Sequence, residues 1–157
     1  MQRAAMVRHL RAACKLASRV AAEGRHPFGA LLIAPDHETV LLEQGNIDTV
    51  NHAESTLARE AFKRFSGDTL ARSTLVTTVE PCAMCAGTLY WADIRRLVYG
   101  MSEASLLELT GNHNENPTLA LPCRTVFGAG QKLITVHGPI VEVEEEIAQI
   151  HKTFWKS

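Results

Sequence analysis

Thr74-Leu-Val-Thr-Thr-Val-Glu-Pro-Cys-Ala-Met-Cys-Ala-Gly-Thr-Leu-Tyr-Trp-Ala-Asp-Ile-Arg-Arg-Leu-Val-Tyr99 is the stretch on which the fold turns. Residues 74–79 are rich in β-branched side chains and predict a strand. Pro81 sits where the first position of a helix tolerates proline, so a helix is expected from there to about Trp91, leading into a strand at residues 96–99. Outward toward the N-terminus, residues 28–34 and 39–42 read as two strands joined tightly by Pro35-Asp36-His37, an antiparallel hairpin. Residues 2–23 place Met6, Val7, Leu10, Cys14, Ala17 and Ala21 three or four apart, an amphipathic helix, and residues 53–65 form another that ends near Gly67. Toward the C-terminus come a short helix at 102–109, a polar loop at 111–122 with Asn112, Asn114, Asn116 and Pro117, a last strand at 133–136 and a closing helix at 143–155. The alternation argues for one domain over residues 1–157: one mixed sheet with helices on both faces, an α/β/α sandwich.

The chain has 157 residues, 46% hydrophobic and 21% charged, an ordinary composition for a soluble domain. At this size roughly 68–70% of the unfolded chain's surface is buried on folding, so a core forms without disulfides and the cysteines are free for other uses. Sixteen Lys plus Arg against seventeen Asp plus Glu leave a net charge of −1, without the basic excess of a nucleic-acid binder. A nucleic-acid partner is therefore not expected. No apolar run is long enough for a membrane span and the N-terminus lacks a signal-peptide core, which reads as a cytoplasmic protein with no membrane partner. In a reducing compartment the Cys82-x-x-Cys85 pair reads as metal-binding or redox-active.

His52-Ala53-Glu54 and Pro81-Cys82-Ala83-Met84-Cys85 carry the chemistry. Two thiolates and one imidazole suit zinc, and three protein ligands leave the fourth tetrahedral position for water, as in a catalytic site. His52 and the cysteines fall at expected helix N-termini, where the dipole favours thiolates. Glu54 is close enough to move protons to and from a zinc-activated water without ligating the metal. A capping box with Asn51 as N-cap also describes Glu54, yet explains neither cysteine.

His-x-Glu followed by Pro-Cys-x-x-Cys is the known signature of the zinc deaminases. On it, and on the wider stretch from Glu80 to Ala92, the chain resembles the cytidine deaminase-like superfamily, in the branch holding guanine deaminases, fungal-type cytosine deaminases and tRNA adenosine deaminases. The resemblance runs from about Pro27 to Gly100. It implies a cytidine deaminase-like three-layer α/β/α sandwich on a mixed five-stranded sheet, one zinc per chain on His52, Cys82 and Cys85, Glu54 as general acid/base, and a homodimer. It further implies Phe28 and Trp91 as walls sandwiching a base, Asn46 as its hydrogen-bonding partner and Ala53 as a source of backbone contacts. Ordinary core packing is the other reading of Phe28 and Trp91.

Tyr90-Trp91-Ala92 is more similar to guanine deaminases than to tRNA adenosine deaminases. Guanine or a close amino-heterocycle is thus the first expected substrate, with cytosine, a nucleoside such as guanosine or cytidine, or tRNA adenosine as alternatives. Asn46 and His52 are separated by only five residues, fewer than in these relatives, and the chain beyond Ser102 does not match a guanine deaminase tail. Glu103 and Glu108 are positional candidates for an acid that recognises the base, though a solvated helix face is the usual place for Glu. Cys14 reads as a small buried hydrophobe, Cys123 as a remote fourth-ligand candidate, and His113 as part of a loop that covers the pocket or stays exposed. The ending His151-Lys-Thr-Phe-Trp155 packs a last helix or reaches a site. A non-catalytic zinc-stabilised module needs a closed four-ligand site, and a thioredoxin-like role leaves His-x-Glu unexplained.

Overall fold

The computed structural model describes residues 1–111 and 113–155; Asn112, counted above in the polar loop, lies outside the described residues. Five strands, β1 (Gly29–Ile33), β2 (Val40–Gly45), β3 (Thr74–Val79), β4 (Arg96–Met101) and β5 (Thr135–His137), form one sheet in the order β2-β1-β3-β4-β5. β1 pairs antiparallel with β2 and β3, while β3, β4 and β5 run parallel, so the sheet is mixed.

The helices are α1 (Arg3–Ala22), α2 (Ala53–Arg64), α3 (Gly67–Arg72), α4 (Ala83–Trp91), α5 (Glu103–Thr110), α6 (Cys123–Gly128) and α7 (Glu144–Phe154). Strand side chains alternate between faces, and this sorts the core into two layers. Leu31, Ile33, Val76 and Val98 meet α1, α5 and α7 through Leu10, Leu106 and Ile147. Ala30, Leu32, Leu75 and Leu97 meet α2, α4 and α6 through Leu57, Leu89 and Phe127. Strands covered on both faces are apolar throughout, which is why β1 and β3 are buried along their whole length. The expected three-layer α/β/α sandwich is what the chain forms.

The differences from the sequence expectations are local. The helix expected from Pro81 begins at Ala83, because Cys82 is the extended N-cap and Pro81 precedes it. The hairpin's second strand runs to Gly45, and the last strand is shifted to Thr135–His137. α3 and α6, each six residues, were not anticipated; α3 starts where Ser66 Oγ accepts the Thr69 N–H. No helix among the described residues is long and apolar enough to cross a membrane.

Candidate active site

The parallel strands β3 and β4 end on one edge of the sheet, where loops following their carboxyl ends form a crevice, the usual place for a ligand in such sheets. A cavity of about 610 Å³ opens there. Two helix N-termini point into it: His52 is the N-cap of α2 and Cys82 that of α4.

His52 Nδ1 lies 3.6 Å from Cys82 Sγ and 3.6 Å from Cys85 Sγ. The ligand atoms of the three residues all fall within 4.8 Å of one another. His52 Nε2 donates to the Thr49 carbonyl at 3.1 Å, which fixes the proton on that nitrogen and leaves Nδ1 as a lone-pair donor facing the sulfurs. The hydrogen bond from Cys85, and then His52, hold the Cys82 thiol below its ordinary range, while the same hydrogen bond and burial push Cys85 up. An imidazole nitrogen and two sulfurs are a donor set that fits zinc.

Glu54 enters from the first turn of α2 and is 4% exposed. The Thr77 hydroxyl donates to its Oε1 at 2.9 Å, and Oε2 stands 3.7 Å from Cys85 Sγ. Burial holds this carboxyl above the ordinary glutamate range, so it takes and keeps a proton more readily than an exposed one. Phe28 and Asn46 both line the cavity. Phe28 packs edge-on against His151 at 5.0 Å, and its carbonyl accepts the Asn46 N–H at 3.0 Å, which ties the two wall residues together. The short segment between Asn46 and His52 is held by Asp48, whose carboxylate accepts the N–H groups of Val50 and Asn51.

Two expectations change. Trp91 is 77% exposed on the outer side of α4, in a separate groove with Phe62, and is not among the cavity's lining residues. It cannot sandwich a base within this chain's own cavity. Ala53 is fully buried as the first residue of α2, between His52 and Glu54, which both line the cavity. Glu103 leaves the solvated-face reading: it is 8% exposed and lines the cavity, whereas Glu108 is exposed. Cys123 is buried outside the three-residue cluster, its N–H donated to Glu80, and Cys14 is a buried residue of the α1 face.

Sequence reasoning missed Glu80, Glu115, His26 and Met84, all lining the cavity. Glu80 had a signal, a carboxylate placed between an apolar strand and Pro81; the others come together only through tertiary structure. His113 and Trp155 meet at a tilt of 53° with ring centroids 4.8 Å apart, and Trp155 also meets His26 edge-on at 4.8 Å, so the C-terminal ring packs behind the cavity wall.

The family model of the cytidine and deoxycytidylate deaminase zinc-binding region matches residues 4–101, both halves of the metal motif included. The chain belongs to this family. Within the cytidine/deoxycytidylate deaminase family it is 38% identical over 151 residues to a probable cytosine deaminase of Schizosaccharomyces pombe, covering 94% of this chain and 90% of that one. It is 37% identical over 99 residues to a tRNA-specific adenosine deaminase of Haemophilus influenzae, covering 60% of this chain and 57% of that relative's length. Guanine deaminase from Nitrosomonas europaea has the same fold, with a TM-score of 0.71 at 20% identity, covering 94% of this chain and 83% of that one. The chain is accordingly a zinc-family deaminase, a hydrolase of C–N bonds.

Proposed function

We propose that the chain deaminates a free, uncharged aminated nucleobase, with guanine as the first ring to test. One observation carries this reading: the cavity is lined by Glu54, Glu80, Glu103 and Glu115, and by no Lys or Arg among the described residues. With no cation in the lining to hold a phosphate and several carboxyl oxygens to receive N–H groups, such walls favour a neutral ring rich in N–H groups. Guanine, with two ring N–H groups besides its amino group, suits four carboxyls better than cytosine. Cytosine is the second reading, supported by the likeness to the yeast relative over nearly the full chain.

In this proposal His52, Cys82 and Cys85 hold one zinc, which when bound supplies a Lewis acid that brings the pKa of a water to about 7. Glu54 carries the proton. With Oε1 fixed by Thr77, the Glu54 Oε2 side takes a proton from the attacking water and gives it to a ring nitrogen beside the amino-bearing carbon, then takes the remaining hydroxyl proton of the adduct, whose oxygen becomes the carbonyl, and delivers it to the leaving amine. Oxygen adds to that carbon, the C–N bond breaks and ammonia departs. Phe28 supplies an aromatic wall, and Asn46, whose amide nitrogen donates to the Asp48 carbonyl at 3.1 Å, keeps its amide oxygen for a ring N–H. A cytoplasmic homodimer is part of the proposal, its mass in solution being the check.

The test is ammonia release by the zinc-loaded protein from guanine, cytosine, their nucleosides and 5′-monophosphates, and a tRNA carrying adenosine at the wobble position. Release from a free base, with the monophosphates inert, is the expected result. Turnover of tRNA alone overturns it.

A further inference from the structure

Asn46 on the cavity wall and His52 at the start of α2 are joined by five residues that belong to no helix or strand. Asp48 folds them into a turn. Its Oδ1 accepts the Val50 N–H at 2.9 Å and the Asn51 N–H at 2.7 Å, and its Oδ2 accepts from the Asn51 side-chain amide at 2.9 Å. The Ile47 N–H closes the turn by donating to the Asn51 carbonyl at 3.1 Å. A carboxylate used in this way supplies the hydrogen bonds that an irregular segment cannot draw from a helix or a sheet.

Each half of the turn sets one side chain of the site. The Asp48 carbonyl accepts from Asn46 Nδ2 at 3.1 Å. The Asn46 backbone is already held, its N–H by the Phe28 carbonyl and its carbonyl by Arg25 Nη1 at 3.1 Å, so the bond to Asp48 decides which end of the amide is left for a ligand. Next along the chain, the Thr49 carbonyl accepts from His52 Nε2 at 3.1 Å and leaves Nδ1 toward the two sulfurs. The two carbonyls belong to adjacent residues, so opening the turn displaces both. The tip of the β1–β2 hairpin uses the same device, with Asp36 accepting the N–H groups of Glu38 and Thr39 at 2.8 and 2.9 Å. That tip lies beyond Ile33, whereas the cavity meets the hairpin at its other end, at Phe28 and Asn46.

We propose that Asp48 is a positioning residue for both halves of the site, folding the turn so that the Thr49 carbonyl aims His52 at the metal and the Asp48 carbonyl aims Asn46 at the base. The assignment rests on reading His52 as a zinc ligand and Asn46 as a contact to a nucleobase. Asp48 touches neither ligand itself: it is exposed and is not among the cavity's lining residues. It also belongs to neither core layer, so its replacement leaves the packing of the fold in place.

The test compares wild type with Asp48→Ala, Asp48→Asn and, as a matched control, Asp36→Ala. Zinc affinity is read by competition with a chelating dye, KM and kcat on the preferred base (guanine or cytosine) at saturating zinc, and the thermal midpoint on zinc-free protein. Asp48→Ala is expected to lose about 10- to 100-fold in zinc affinity, as removal of a support behind a metal-bound histidine does. Its KM should rise about 10-fold with kcat falling less, the pattern of a lost binding contact. Asp48→Asn keeps an oxygen for the Val50 and Asn51 N–H groups, and the Asn51 amide can turn its own oxygen toward the new NH2, so both values should return to within about threefold of wild type. Asp36→Ala should lower the midpoint about as much as Asp48→Ala while leaving zinc affinity and KM unchanged. Unchanged zinc affinity and KM in Asp48→Ala overturn the assignment, whatever the midpoint does. A shift in only one of the two overturns the claim that one carboxylate serves both halves, and equal shifts from Asp36→Ala overturn it as a general loss of stability. A wild type that binds one zinc yet releases ammonia from neither base brings down the nucleobase reading and this assignment with it.

Discussion

Glu54 and its hydrogen bond to Thr77 set the terms at the scale of single residues. Thr77→Val keeps shape in a fully buried position but removes the donor to Glu54 Oε1. Deamination is expected to fall about 10-fold, zinc being retained, because the carboxyl loses the contact that orients it; steady-state rates beside metal content are the check. His151 gives a second prediction. Burial lowers its pKa from 6.5 to about 4, and Trp155 Nε1 donates to its Nδ1 at 3.0 Å. The unfolded chain takes up this proton first as pH falls, so the contribution is whole above pH 6.5 and is lost progressively toward pH 4. The loss should reach about 2–3 kcal/mol, and His151→Gln should flatten that part of a denaturation-versus-pH curve. The residues legible in the sequence are those whose chemistry limits their spacing: His52, Glu54, Cys82 and Cys85. Trp91 was not, because α4 is apolar on nearly every side and no hydrophobic stripe fixes which way its last residue points. The sequence leaves Glu103 with two readings, a solvated face and an acid at the pocket, because its burial comes from the cavity, a contact far away in sequence.

Among elements, the close crossing of α1 over the start of β1 is the most exacting. A Cβ on Gly29 would stand 2.6 Å from the Ala13 carbonyl oxygen, a backbone atom that cannot swing aside. Gly29→Ala is expected to destabilise the fold by about 1–3 kcal/mol. Differential scanning calorimetry should show a midpoint lowered by roughly 2–4 °C for each kcal/mol. KM should rise as well, since the wall residue Phe28 adjoins the displaced backbone. Long elements such as α1, α2 and β3 were legible because they repeat a pattern over many residues. Six-residue α3 and α6 span fewer than two turns and offer no period to read. β5 is three residues with exposed ends on a sheet edge, so its apolar alternation is too brief to place it.

The whole molecule joins a near-neutral chain to a cavity walled by carboxyls. Net charge is −1, and α7 tethers its acidic start to α1 through the Arg11–Glu146 pair, with Arg3–Glu142 beside it. These exposed pairs add little stability, but they answer the acidic run locally and leave the cavity's own charge to act on a ligand. Turnover of a neutral base should therefore change less than about twofold as ionic strength rises from about 0.05 to 0.5 M, whereas a steered anionic or polymeric substrate would respond strongly; kcat/KM against salt reads this directly. The central claim is that one zinc on His52, Cys82 and Cys85 together with Glu54 makes the deaminase. Stripped protein titrated with zinc, ammonia release from the preferred base being followed at each addition, tests it most directly. Activity should rise linearly and break at one zinc per chain, and Glu54→Gln should bind the same single zinc yet lose at least about 100-fold in rate. Full activity without zinc, or near-wild-type turnover in Glu54→Gln, would contradict the account.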